Sequence, residues 1–358
     1  MTTDQIWANE EQAVFALRRL YQRYGYTPYK MSQFEEYDLY VRNKDFLISD
    51  KIITFSGEGG KLMALKPDVT LSIMKNAPEA PGVVQKVYYS ENVYRDYREI
   101  MQAGLECVGD LTRYDIAEVV LLAVKSLALL GGRYVLDISH MGLLAAVLER
   151  CGFDEEKKKQ AMGCLRRKNT HDLKALCGEN HGAWECLQAL SACRGGAEAL
   201  DALRPYLTAP SEQQAVGELE ALLGILKASG YEAQVRLDFS VSNDLGYYSG
   251  VVFRGYLEGI PESILSGGQY DKLPRKMGRK SKAIGFAVYA DLLQELYREE
   301  NPFDVDTLIL HDGSVSLTEL TAAAAAAAKD GSVLVAASVP NGRSWKRLIR
   351  FEKGGQVL

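Results

Sequence analysis

Residues 86–109 constrain the fold of this chain more tightly than any other stretch. Two strand-like runs sit there with a very short connection between them. Val87, Tyr89 and Val93 alternate with polar neighbours, and Ile100, Gln102, Gly104 and Glu106 form a second period-two series. That period is the signature of side chains pointing alternately to the two faces of a sheet. On such a strand Gln102 and Glu106, four positions apart, share one face. Arg95 ends the first run, so a carboxylate, an amide and a guanidinium converge on one surface. Gly104 removes a side chain between Gln102 and Glu106 and leaves room beside them. This is the makeup of a pocket for a small zwitterion. Glu106 would hold an amino group and Gln102 would fix a polar side chain. An ordinary sheet face with solvated polar residues would show the same spacing.

At 358 residues the chain is long enough for two or three domains and a large core. Charged residues are 25% and hydrophobic residues 47%, the balance of a soluble globular protein. The net charge of −5 gives no global basic field of the kind that points to nucleic acid. The opening Met-Thr-Thr-Asp-Gln-Ile-Trp lacks the basic start and apolar run of a signal peptide. No stretch reaches the length of a membrane span, so the cytoplasm is the expected compartment. The six cysteines include no Cys-x-x-Cys pair. Cys177, His181, Cys186 and Cys193 fit no common zinc spacing. Reduced, mostly buried thiols are expected, with no metal and no cofactor.

Residues 9–24 read as an amphipathic helix, with Val14, Leu17, Leu20, Tyr21 and Tyr24 near helical spacing and Gly25 at its end. Residues 26–40 are aromatic and extended. Residues 52–55 and 61–65 form a hairpin around Gly57-Glu-Gly-Gly60, with glycines where the turn needs positive φ. In Lys66-Pro-Asp-Val-Thr70, Pro67 stops a strand and Asp68 can cap a helix through residues 71–75. A strongly apolar helix at 115–130, a strand at 134–139 and a helix at 141–150 follow, with His140 as a structural hydrogen-bonder at their junction. Residues 151–225 change character: they are helical, show no strand pattern, and carry the runs Lys157–Lys159 and Arg166–Lys168 as solvated faces. They read as a separate module inserted into the core. Strands return at 233–240, 247–256 and 283–289, with Ser266-Gly-Gly-Gln-Tyr-Asp271 between the last two and a helix at 291–298 after them. The tail from 301 reads as a small α/β unit. It has strands at 305–310 and 332–338, a helix opened by a Ser316/Glu319 capping box, and a last helix from 342.

Taken in order, Lys66-Pro67-Asp68-Val69-Thr70, Gln102-Ala-Gly-Leu-Glu106, Tyr247-Tyr248, Gly267-Gly-Gln-Tyr-Asp271 and Ile284-Gly-Phe286 resemble the histidyl-tRNA synthetase family of class II aminoacyl-tRNA synthetases. The resemblance runs over nearly the whole chain. It implies an α+β fold, with a mainly antiparallel sheet of six or seven strands flanked by helices. Residues 1–150 and 226–300 would form that core, 151–225 a helical insertion, and 301–358 a truncated anticodon-binding-like α/β domain. It also implies an amino-acid pocket built from Asp68, Thr70, Arg95, Gln102, Glu106, Tyr247 and Tyr248. Gln102 and Glu106 match the residues that hold histidine. The tyrosine pair matches the one beside its imidazole, and Arg95 matches the phosphate-contacting arginine of motif two.

Several positions depart from the synthetase pattern. Asn243 and Leu292 stand where the family carries arginines, and Ser32 stands where motif one has proline. Asp68 is one methylene shorter than the family's glutamate. Only seven positions separate Arg95 from Gln102, where synthetases have a loop that folds over ATP and the tRNA end. Adenylation builds negative charge on a phosphoryl centre, and fixed cations are the main way to stabilise it. A kept pocket without those cations is similar to the regulatory subunits of ATP phosphoribosyltransferase, which are synthetase paralogues. That likeness implies a non-catalytic regulatory subunit in histidine biosynthesis, with no catalytic residues of its own. It would activate a short catalytic subunit and relay histidine feedback. It would pair as a homodimer through the N-terminal helix and residues 26–40, within a hetero-oligomer. Neither a membrane nor transfer RNA is an expected partner. Two other readings stay open: a synthetase-like protein that binds another ligand or partner, and an active histidyl-tRNA synthetase.

Overall fold

The chain enters the fold through α1 (Glu10–Arg23), which buries Ala13, Val14, Leu17 and Tyr21 along one helical stripe. The computed structural model describes residues 10–47, 51–242, 247–293, 303–352 and 355–357. Its contacts divide the chain into two units, Met1–Tyr297 and Arg298–Leu358.

In the first unit, β1 (Thr27–Pro28), β2 (Phe34–Glu36), α2 (Tyr37–Arg42), β3 (Thr54–Ser56), β4 (Leu62–Leu65) and α3 (Thr70–Asn76) lead into the long hairpin of β5 (Val84–Arg95) and β6 (Arg98–Gly109). Then come α4 (Arg113–Leu130), β7 (Tyr134–His140) and α5 (Met141–Arg150). A helical stretch follows: α6 (Glu155–Arg167), α7 (Thr170–Cys177), α8 (His181–Ala192), the short β8 (Arg194–Gly195), α9 (Ala197–Leu203) and α10 (Pro210–Ala228). The unit closes with β9 (Val235–Asp238), β10 (Val251–Leu257), β11 (Leu265–Gln269), α11 (Lys272–Lys276) and β12 (Lys282–Tyr289). The expected helix at 291–298 falls mostly outside the described residues.

Nine strands form the main sheet, in the order β1-β5-β6-β12-β11-β10-β7-β9-β8. All pairs are antiparallel except β1 with β5 and β7 with β9. The sheet exceeds the expected six or seven strands because β1 and β8 are two-residue edge strands, too short to leave a period in the sequence. One face of the central hairpin buries Ala103, Leu105 and Cys107 and packs on α1, which in turn packs on α4. The opposite face carries Val87, Tyr89, Val93 and Val108 and is covered by α3 and the small sheet of β2, β4 and β3. Glu106 lies on this second face.

The helical stretch does not have a core of its own. Leu165, Leu187, Leu190 and Leu219 belong to the same buried cluster as Leu136, Ile138 and Phe253 of the sheet. Polar ties reinforce the join. His140 accepts the Leu143 N–H at Nδ1, capping α5, and its Nε2 lies 3.1 Å from Glu218 Oε2 of α10. Arg150 of α5 donates to the fully buried Glu212 of α10 at 2.6 Å, and Lys168 pairs with Asp238 of β9 at 3.0 Å. The stretch also supplies β8, which pairs with β9.

In the second unit, β13 (Val305–His311), α12 (Leu317–Ala327), β14 (Val333–Ala336), β15 (Trp345–Glu352) and β16 (Gly355–Val357) make a sheet in the order β14-β13-β15-β16. Ser316 and Glu319 form the expected capping box. The helix expected from 342 is instead β15, parallel to β13. Its Ile349 and Phe351 alternate with Leu348 and Arg350 and pack toward Ile309 and Leu320, a period of two rather than 3.6.

Candidate ligand-binding site

The site begins with the turn between β5 and β6. Arg95 pairs with Arg98, so only Asp96 and Tyr97 connect the strands, at φ 51° and 61°. Two positive φ values mark the type I′ geometry, whose twist matches that of the flanking strands. The hairpin therefore turns back at once. From there β6 runs under the site and presents Gln102, Gly104 and Glu106 on one face.

Glu106 is 2% exposed. Thr70, at the first position of α3, donates to its Oε1 at 2.7 Å, and the Tyr270 hydroxyl donates to its Oε2. No cation pairs with it among the described residues. Burial pushes its carboxyl from 4.5 up to about 8, against the two hydroxyl bonds, which favour the charged form. Gly285 of β12 lies opposite Glu106, and a β-carbon there would sit 1.7 Å from Oε2. The glycine of Ile284-Gly-Phe286 is thus what lets the carboxylate lie flat on the sheet.

The Lys66-Pro-Asp-Val-Thr70 segment borders the same space. Lys66 is 1% exposed and pairs with Glu91 of β5. Asp68 Oδ1 accepts the Leu71 N–H at 2.8 Å, which steadies the start of α3. Burial raises the Asp68 carboxyl, and the nearby Arg95 charge opposes that rise. Arg95 is buried, and its Nε has no hydrogen-bond partner among the described residues. Gln102, buried at 4% exposure, pairs across the strands with Glu91 and Tyr289.

Aromatic rings close the space. Tyr247 and Tyr248 meet edge to face at 4.5 Å between centroids, and Tyr247 also faces Tyr270 at 6.0 Å and Phe46 at 5.5 Å. The Tyr248 ring lies against Gly268, where a β-carbon would come within 2.8 Å of it. The glycines of Ser266–Asp271 thus admit a ring. Burial raises both phenols, and the charges of Glu106 and Asp68 add to the rise.

The expected residues Asp68, Thr70, Arg95, Glu106, Tyr247 and Tyr248 all interact within this one region, with Gln102 on the same strand face. Tyr270, the Lys66–Glu91 pair and Tyr89 were not among the expected site residues. Tyr270 stands inside the glycine-rich motif and could have been read from it. The Lys66–Glu91 pair and the position of Tyr89 depend on which strands are neighbours. The room expected at Gly104 is taken: a β-carbon there would lie 2.6 Å from the Tyr89 hydroxyl. Asn243 lies outside the described residues, and Leu292 is partly buried against the core. All six cysteines are free, and burial raises the thiol of Cys107 to about 12. Among the described residues no group of His, Cys, Asp and Glu is placed to hold a metal ion.

A family profile described as "Histidyl-tRNA synthetase" matches residues 3–293, most of the chain. The chain belongs to the histidyl-tRNA synthetase family. Among curated relatives, a protein of Acetivibrio thermocellus named ATP phosphoribosyltransferase regulatory subunit is 26% identical over 314 residues, 82% of this chain and 75% of the relative. A Bacillus cereus protein of the same name is 26% identical over 321 residues, 84% of this chain and 76% of the relative. Among solved structures, an ATP phosphoribosyltransferase regulatory subunit/histidyl-tRNA synthetase from Bacillus halodurans superposes with a TM-score of 0.74 at 24% identity, covering 96% of this chain and 94% of the other. The ATP phosphoribosyl transferase (HisG:HisZ) complex from Thermotoga maritima contains a chain that superposes with a TM-score of 0.62 at 18% identity, covering 78% of this chain and 96% of that one. The fold of this family member is thus the α+β class II synthetase fold.

Proposed function

We propose that this chain is the regulatory subunit of an ATP phosphoribosyltransferase in histidine biosynthesis, without chemistry of its own. The observation that carries this reading is a well-formed amino-acid site beside the two-residue Asp96–Tyr97 turn. A turn of that length offers no loop to fold over a nucleotide, so the site can recognise an amino acid without activating it. The names of the curated relatives support the same role. Asn243 and Leu292, where synthetases carry arginines, agree with it, because developing phosphoryl charge needs fixed cations.

Histidine is the ligand this reading assigns to the site. Glu106, supported by Thr70 and Tyr270, takes the ammonium; Gln102 takes a ring nitrogen; Tyr247 and Tyr248 flank the ring. Asp68 shapes the entry, and Arg95 supplies positive potential near it. Residues 1–150 and 226–300 act as the synthetase-like core, 151–225 as a helical insertion, and 301–358 as an anticodon-binding-like domain. Exposed Phe34, Val41, Phe55 and Leu62 around the small sheet support a homodimer through the N-terminal region, since exposed apolar clusters mark contact surfaces. The partner is a short catalytic subunit, in the cytoplasm.

Purified chain is mixed with a short catalytic subunit from the same genome, and ATP phosphoribosylation is followed. Stimulation of the rate, and its suppression by histidine, is the expected result. Histidine-dependent ATP–pyrophosphate exchange by this chain alone would overturn the reading in favour of an active synthetase.

A further inference from the structure

A groove of about 660 Å³ runs between α1 and α4, on the side of the sheet away from Glu106. Its floor is apolar, with Ala16 and Leu20 of α1 against Ala128 and Leu129 of α4. Phe15, Arg19 and Arg23 follow at steps of four and form one row along α1. Lys125 of α4 adds a third cation, its Nζ 5.5 Å from the centroid of the Tyr231 ring, which also lines the groove. None of these three cations has an ion-pair partner among the described residues, in a chain whose net charge is −5. Phe15 is 62% exposed. One exposed ring is ordinary on a protein surface. A ring in line with two arginines over an apolar floor is the composition of an interface, where aromatic residues and arginine are enriched.

We infer that this groove is the docking surface for the catalytic subunit, and that it takes an amphipathic helix of that partner with acidic residues beside its apolar stripe. The chemistry of the groove sets the character of the occupant. Unpaired cations at the rim call for carboxylates, and the alanine and leucine floor calls for an apolar stripe. The length fits as well. From Gln12 to Arg23 the groove follows α1 for roughly 16 Å, about three helical turns, enough to anchor a helix laid along it. A second copy of this chain does not suit it, because an isologous pair would set these cations against their own copies. The same helix α1 buries Tyr21 against Phe286 of β12, 5.9 Å between ring centroids. Phe286 adjoins Gly285, so a partner seated on α1 lies one helix away from the amino-acid site. This inference rests on the regulatory reading above, which supplies the partner.

The test is surface plasmon resonance of the full chain against a short catalytic subunit from the same genome, at low and at high salt. The variants are Phe15→Ala and the double variant Arg19→Ala/Arg23→Ala. All three side chains are exposed, so melting temperatures should stay close to the parent's. Phe15→Ala should weaken binding about ten- to thirtyfold at both salt concentrations, the loss expected for a ring at the centre of an interface. The double arginine variant should bind more weakly at low salt, mainly through slower association, and approach the parent at high salt, where screening removes the charge attraction. Histidine affinity of the isolated chain should not change in either variant. Parent-like affinity for the catalytic subunit in either variant at low salt overturns the inference. A shift of either variant from dimer to monomer in sedimentation velocity also overturns it, since the groove would then join copies of this chain. If the parent chain itself does not bind the catalytic subunit, the regulatory reading fails, and the assignment of the groove fails with it.

Discussion

The carboxylate of Glu106 lies over the bare backbone of Gly285, with Oε2 only 1.7 Å from where a β-carbon would be. No rotamer change at Gly285 can relieve such a contact, because the added atom is fixed to the backbone. Gly285→Ala must therefore push Glu106 away from Thr70 and Tyr270 or separate β6 from β12. Overpacking of this kind costs about 1–3 kcal/mol. The variant should melt several degrees lower and bind histidine at least tenfold more weakly. An unchanged melting temperature would show that Glu106 rests elsewhere.

Glu106 also makes a pH prediction whose sign is opposite to that of most carboxylates. Its carboxyl titrates near 8 in the folded chain against 4.5 ordinarily, so the folded state holds the proton more tightly than the unfolded state. Without ligand, its contribution to stability is fully present below about pH 4.5 and is lost as pH rises toward 8. At about 1.4 kcal/mol per unit the loss amounts to a few kcal/mol. Glu106→Gln, which cannot ionise, removes this slope. The melting temperatures of parent and variant should converge near pH 5, and the variant should lie several degrees higher at pH 8.5. Parallel curves from pH 5 to 8.5 would sink the prediction. Histidine binding should be abolished in the same variant, because the charge-assisted bond to the ammonium is gone.

Much of this site is legible in the sequence, and the limit of that legibility has a physical cause. Gln102 and Glu106 share a face because a strand has period two, and Asp68 braces a helix start because of its local spacing. Relations between strands are different. That Tyr89 fills the space over Gly104, that Gly285 sits under Glu106, and that Glu91 meets Lys66 all follow from register and strand order. β12 lies beside β6 although more than 170 residues separate them in the chain. The same cause explains the missed edges. β1 and β8 hold two residues each and exist only through their partners. The stretch from 342 reads locally as a helix, and pairing beside β13 makes residues 345–352 a strand. Residues 151–225 look self-contained in composition, yet their leucines complete the core that the sheet begins.

The long helix α10 offers a stability test away from the site. Gly217 and Gly224 are exposed helical positions, and a β-carbon at either would meet nothing within 4 Å. Glycine in a helix interior is less stable than alanine by about 0.5–1 kcal/mol. Gly217→Ala and Gly224→Ala should each raise the melting temperature by roughly 1–3 °C. Seven residues apart, they should add in the double variant. Histidine binding should not change in either. A fall in melting temperature would mean that α10 needs those glycines for a contact made in the assembled protein.

The buried pair of Lys66 and Glu91 separates stability from charge. Lys66 is 1% exposed and Glu91 no more than partly so. Removing one partner strands the other charge at low dielectric, which typically costs about 3–5 kcal/mol, whereas replacing both with apolar groups of similar volume is often neutral. Lys66→Met and Glu91→Leu should each shift the urea midpoint strongly downward. The double variant Lys66→Met/Glu91→Leu should recover most of the loss, giving a coupling energy of a few kcal/mol in the cycle. Glu91 pairs across the strands with Gln102, so the double variant should fold well but bind histidine more weakly than the parent. If the two single losses simply add, the pair is not coupled, and Lys66 is held in place by its backbone ties to Gln33 and Tyr94 rather than by its charge.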